Sequence, residues 1–234
     1  MAVSGTTAFA MTVSEIVTEA RGLLGIQAVE EPLQAHELAQ GIRALNMLLA
    51  TWEVEGVKTY LLTEGQLTLV EGQASYTFGA GGDFTTVFRE LTDARINRSG
   101  NDLPMERLSR EQYYALPNKT TEGYPTSYFF DTQREGGTLY VWPAPDSTAG
   151  TFKFTYRRQL YDAGNGTDTL DVPKYYLEAV VYNLAKRLIP FYPGAAQISV
   201  QAVVAGAAST YATVSTFDAG EGKASITIEP EWNW

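Results

Sequence analysis

From Val13 onward apolar side chains recur at spacings of three and four: Val13, Ile16, Val17, Ala20, Leu23 and Leu24. That period puts them on one face of a helix. Thr12 stands at the cap position, Glu15 completes a capping box, and Gly25 supplies the stop. A second stripe of Leu38, Ile42, Leu45, Leu49 and Trp52 predicts a helix over Leu33–Glu55, closed by Gly56. Two such segments joined by a short loop make a helical hairpin with one shared apolar seam. Ahead of them Met1–Met11 is small and polar, and reads as an extended arm unless something docks it.

After Gly56 the pattern shortens to strand-length runs bounded by Gly, Pro, Asn and Asp. Leu67–Val70 and Ala74–Phe78 predict two strands around the turn Glu71-Gly72-Gln73. Further strands are expected at Val87–Leu91, Ala94–Arg98, Leu103–Leu108, Pro125–Phe130, Thr138–Trp142 and Thr151–Tyr156. Phe152, Phe154 and Tyr156 alternate cleanly, the sign of one buried face. Ser109 and Gln112 predict a capped short helix through Ala115. Helical period returns with Asp171 as cap, Pro173 in the first turn, and a face of Leu177, Val180, Val181, Leu184, Ala185 and Leu188 ending at Pro190. A last helix over Ala195–Thr216 is alanine-built, with Ile198, Ala202, Ala205, Ala208 and Ala212 predicted to pack closely on a neighbour.

The order gives an α+β chain. Residues 12–56 plus 171–216 are expected to form a helical-bundle core, residues 57–170 an inserted antiparallel β-rich module, and residues 217–234 a C-terminal arm. In that arm Ile226 and Ile228 alternate with Ser225 and Thr227, and Trp232 and Trp234 follow. An isolated tail of this kind would leave apolar area in water, so Ile226, Ile228, Trp232 and Trp234 are the candidate partner-binding set.

Composition narrows the chemistry. The 234 residues carry 27 acidic and 17 basic side chains, a net charge of −10, with 44% hydrophobic residues, no cysteine and one histidine. Disulfides, thiolate nucleophiles and cysteine metal sites are thereby excluded, and a histidine triad rests on His36 alone. No run reaches the roughly 20 apolar residues of a membrane span, and no export signal is visible. The acidic balance opposes a grip on nucleic acid through phosphate neutralisation. Gly79-Ala80-Gly81-Gly82 lacks the Lys-Ser/Thr of a phosphate loop and reads as a hairpin tip. Glu30-Glu31, Glu53 with Glu55, and Glu229 with Glu231 are the nearest paired carboxylates, each expected to be solvated. Arg157-Arg158, Arg95 and Arg98 read as ion pairs or a subunit contact. No catalytic, cofactor or metal site is expected.

Four stretches carry a family resemblance: Leu45-Asn46-Met47-Leu48-Leu49-Ala50-Thr51-Trp52 into Glu55-Gly56; Leu103-Pro104 through Leu116-Pro117-Asn118-Lys119-Thr120-Thr121-Glu122-Gly123-Tyr124-Pro125; Leu139-Tyr140-Val141-Trp142-Pro143-Ala144-Pro145; and Asp168–Pro173 through Tyr182-Asn183-Leu184-Ala185. Together they resemble the tail accessory factors of short-tailed phages, also called packaged-DNA stabilisation or head-completion proteins. The resemblance implies a non-enzymatic virion component made in the host cytoplasm. It also implies an adaptor ring, twelve-fold in the family, beneath the portal protein, contacting neighbouring copies and a downstream tail protein while DNA passes without specific binding. The competing expectation from the enzyme class is a carboxylate-dependent peptidoglycan hydrolase associated with the virion. A carbohydrate-binding module, with exposed tyrosines as its platform, is the third.

Overall fold

The computed structural model describes residues 8–26, 31–55, 61–98, 100–146 and 150–221. The chain is α+β and divides into two compact units, residues 1–59 with 160–234, and residues 60–159.

The first unit is helical. Helix α1 (Val13–Leu23) begins at the expected capping box: Glu15 N–H donates to Thr12 Oγ1 at 3.3 Å and Thr12 N–H to Glu15 Oε2 at 2.7 Å. Val13, Ile16, Val17, Ala20 and Leu24 are fully buried. Helix α2 (Ala35–Glu55) starts two positions later than its stripe predicts, and its buried line is Gly41, Ala44, Leu45, Leu48, Leu49 and Trp52. Leu38 and Ile42 are only half-buried, because the contact face runs through the small residues Gly41 and Ala44. A Cβ at Gly41 would lie 2.6 Å from both Val17 methyl carbons, so glycine sets how closely the two helices approach.

Residues 160–170, read from sequence with the β-rich stretch, hold to these helices instead. Asn46 mimics a backbone unit, donating from Nδ2 to Ala163 O (3.1 Å) and accepting from Ala163 N–H (2.9 Å). Glu53 accepts the Leu160 N–H at 2.9 Å. The first-turn donors of α1 reach the same loop, Val13 N–H to Asp168 O and Ser14 N–H to Gly166 O. These long-range bonds satisfy groups that a helix end leaves open.

Asp171 does not cap the next helix. A short 3₁₀ turn, Lys174–Tyr176, comes first with Pro173 at its cap position and no side-chain cap, and Asp171 accepts the Tyr161 N–H instead. Helix α4 (Leu177–Leu188) follows, numbered after the short α3 described below, and packs against α1, α2 and the last helix, α5 (Gln197–Glu221). Arg21 is buried between α1 and α2. It meets Glu37 Oε1 at 2.5 Å, donates to Tyr192 Oη and lies over that ring at 5.0 Å. A buried guanidinium needs such a set of partners.

The second unit is a sandwich of two four-stranded sheets. One runs β1 (Leu62–Thr68), β10 (Gly150–Arg158), β3 (Phe88–Arg98), β4 (Asn101–Pro104). The other runs β2 (Ser75–Gly79), β8 (Gly136–Trp142), β7 (Ser127–Gln133), β5 (Glu106–Arg107). Pairs are antiparallel except β5 with β7, and β6 (Glu122–Gly123) with β9 (Ala144–Pro145). The sheets share one core that includes Tyr76, Phe78, Phe88, Tyr128, Phe130, Phe152, Phe154 and Tyr156. Phe88 stacks on Phe130 at 5.2 Å, and Phe78 meets both rings edge-on. Most tyrosines of this stretch are therefore spent on packing. Helix α3 (Arg110–Ala115) has the expected Ser109–Gln112 capping box and lays Tyr113 on Phe129 and Tyr140.

Three strand expectations change. The turn at Glu71-Gly72-Gln73 forms, but its arms separate into different sheets, β1 onto β10 and β2 onto β8. Val70 N–H donates to Tyr76 Oη and Gly72 N–H to Pro145 O, so side-chain and distant backbone partners replace the ladder. Val87–Leu91 and Ala94–Arg98 are one strand, β3, whose alternation is broken by a bulge at Thr92 opposite Thr155 and Tyr156. Leu103–Leu108 splits at Met105 into β4 and β5, which lie in opposite sheets.

Candidate interaction surface

The longest helix is also the one whose orientation sequence misjudges. Between Gln197 and Phe217 helix α5 has no charged residue. Its buried line is Val203, Ala207, Val214 and Asp218. Ile198, Ala202, Ala205, Ala208 and Ala212, expected to meet a neighbour, are exposed within the unit, Ile198 by 78%. Without charges there was no polar face for the period to contrast against. Contact is decided by Gly206, where a Cβ would lie 2.4 Å from the Tyr182 ring on α4, and by Asn183 Nδ2, which donates to Ala179 O and Ala207 O. The helix also continues past Thr216: Asp218 is buried and accepts the Tyr176 hydroxyl, and Phe217 packs on Tyr175 at 5.1 Å.

Beside this face α2, α4 and α5 enclose a groove of about 610 Å³. Its aromatic wall is Trp52 and Tyr211, with ring centroids 5.7 Å apart. The Tyr211 hydroxyl donates to Glu55 Oε2 at 2.5 Å. Burial, with the Glu55 bond and charge added, pushes the Tyr211 pKa up to about 12. Lys186 and Arg187 line the α4 side, where Arg187 donates to Thr51 Oγ1 at 2.8 Å. None of these groove residues was singled out from sequence for such a role. Only the adjacent basic pair Lys186-Arg187 and the resemblance block ending at Trp52 and Glu55 offered a signal.

The other candidates fall in place locally. His36 is exposed near the start of α2. At the glycine loop Asp83 takes the Thr77 N–H (2.7 Å) and hydroxyl (2.9 Å), which holds its pKa below the usual carboxylate range, so the turn is knit by its own anion. Arg95 pairs with Glu64, Asp102 and Asp93, and Arg98 lies over Tyr124. Glu53 and Glu55 are each committed to a hydrogen bond. Ile226, Ile228, Trp232 and Trp234, with Glu30, Glu229 and Glu231, lie outside the described residues. Among the described residues no group of three or more His, Asp or Glu side chains is placed to hold a metal ion, and no helix is long and apolar enough to cross a membrane.

The chain thus has a helical unit interrupted in sequence by a β-sandwich, with an uncharged helix face exposed. The chain belongs to the SU10 adaptor protein family, whose family model matches residues 11–225, and which is a family of phage head-to-tail adaptors. No curated protein matches it.

Proposed function

We propose that this chain is the structural head-to-tail connector of a bacteriophage virion. Copies join into a ring, twelve-fold, below the portal; the ring extends and seals the DNA channel and receives the next tail protein. The observation that carries this reading is the exposed, charge-free face of α5 between Gln197 and Phe217. On a chain of net charge −10 such a face is where copies can approach without like-charge repulsion. Head-to-tail contacts of one patch on another close into a ring when the rotation fits. Acidic side chains facing the lumen leave the duplex mobile, because no phosphates are neutralised. The arm adds contacts through Ile226, Ile228, Trp232 and Trp234. Residues 217–221, read from sequence with the arm, belong to α5, where Asp218 is bonded to Tyr176.

Electron microscopy of the full chain mixed with its portal tests this. Rings seated on the portal are expected from the unaltered chain. Ala202→Glu with Ala205→Glu should abolish them while helical circular dichroism is kept. Rings that form undiminished with both substitutions would overturn the role given to α5.

A further inference from the structure

Residues 160–170, which the helices hold through Asn46 and the first turn of α1, carry the one Asn-Gly pair of the sequence, Asn165-Gly166. An asparagine before glycine is open to attack by its own chain, because no side chain shields the following backbone nitrogen. Whether a fold protects such a pair or activates it depends on how the amide is held.

Here the holding favours reaction. Asn165 Oδ1 accepts two hydrogen bonds from one residue, the Thr167 N–H at 2.9 Å and the Thr167 hydroxyl at 2.6 Å. A bond to the N–H two residues on folds an asparagine side chain back along its own backbone, over the peptide that contains the next nitrogen. The turn is pinned on both sides. Asp168 Oδ2 accepts the Gly164 and Asn165 N–H groups at 3.0 and 2.8 Å, and Gly166 O accepts the Ser14 N–H at 2.9 Å. Among the described residues no acceptor is met by Asn165 Nδ2 or by the Gly166 N–H. Asn165 is exposed, so water reaches the group that would leave. The glycine is fitted to the packing as well: a Cβ there would lie 2.9 Å from Leu38 Cδ2.

We propose that Asn165 is a site of spontaneous deamidation in the folded chain, with Thr167 supplying two donors that stabilise the transition state. The Gly166 nitrogen attacks Asn165 Cγ, forming a C–N bond and placing negative charge on Oδ1, which both Thr167 donors already hold. Donors aimed at an oxygen that gains charge bind the transition state more strongly than the ground state. The Cγ–Nδ2 bond then breaks, and ammonia leaves with the proton given up by the Gly166 nitrogen. Water opens the resulting cyclic imide at either carbonyl, giving aspartate or isoaspartate at 165. Both products add one negative charge, and isoaspartate adds a backbone atom just ahead of the residue that holds Ser14. The reaction needs neither ring nor portal, and so goes beyond the connector reading.

The test incubates the freshly purified full chain under mildly alkaline conditions, with circular dichroism confirming that it stays folded. Trypsin then releases residues 159–174, in which mass spectrometry reads amide against acid and isoaspartyl methyltransferase reads the isomer. Asn165 should convert ahead of the other asparagines, at a rate that rises with pH as the attacking nitrogen is deprotonated. Thr167→Val removes one donor and should slow conversion about tenfold, less than in a buried oxyanion hole because water competes at an exposed site. Thr167→Ser should keep the original rate. Asn165 left intact in the folded chain, while a synthetic peptide of residues 159–174 converts, would show a protective fold and overturn the proposal. Equal rates in the unaltered chain and in Thr167→Val would overturn it too. Either failure leaves the portal experiment unaffected.

Discussion

Two glycines in neighbouring helices show how little side chain decides a contact. Gly22 in α1 has open space around its missing Cβ, whereas at Gly41 in α2 that atom would meet the Val17 methyls at 2.6 Å. Intrinsic helix propensity favours alanine over glycine by about 1 kcal/mol at an interior position. Gly22→Ala should therefore gain a few tenths of a kcal/mol near its helix end, while Gly41→Ala should lose about 1–3 kcal/mol through overpacking, both read by urea denaturation. Tyr211 gives a pH signature. Its pKa of about 12 in the folded chain lies above its ordinary 10.0. The neutral hydroxyl is thus favoured by folding, and its contribution is complete below about pH 10 and lost as the pH rises through about 12. Glu55→Gln should lower the titration only in part, since burial is the larger cause, seen as the ultraviolet phenolate difference against Tyr211→Phe.

At the scale of elements, capping boxes at Thr12 and Ser109 were legible because they are local, closing within four residues. Strand partners were not. The turn at Gly72 has good hairpin chemistry, yet β1 and β2 separate because each finds a longer partner, β10 and β8, far along the chain. Helix α5 shows the same limit. A strand or helix period identifies a face only when the opposite face is polar, and α5 offers no such contrast. Which side is buried can be tested directly. Val203→Asp, on the line against α4, should destabilise the helical unit by several kcal/mol, since it buries an unpaired charge. Ala205→Asp, on the outer face, should change the chemical denaturation midpoint little.

On the scale of the whole molecule the two units divide the labour of burial. Residues 60–159 seal an aromatic-rich sandwich core, which leaves few of their tyrosines for recognition. The helical unit keeps its uncharged α5 face and its groove outside its own core, the economical arrangement for a chain whose family works by docking. Net charge acts as a background of like-charge repulsion, against which the uncharged α5 face stands out.

The sequence by itself determined that the chain is α+β, where α1 and α3 start, that thiol chemistry is excluded, and through four motif stretches the family to which it belongs. Those properties depend on composition or on neighbours within a few residues. Only the tertiary structure decided which face of α5 is covered, that residues 160–170 serve the helices, and that Trp52, Tyr211, Lys186 and Arg187 meet around one groove. Each of these depends on close approach between segments far apart in the chain, where one missing Cβ or one side-chain bond chooses among arrangements that the local pattern leaves equal.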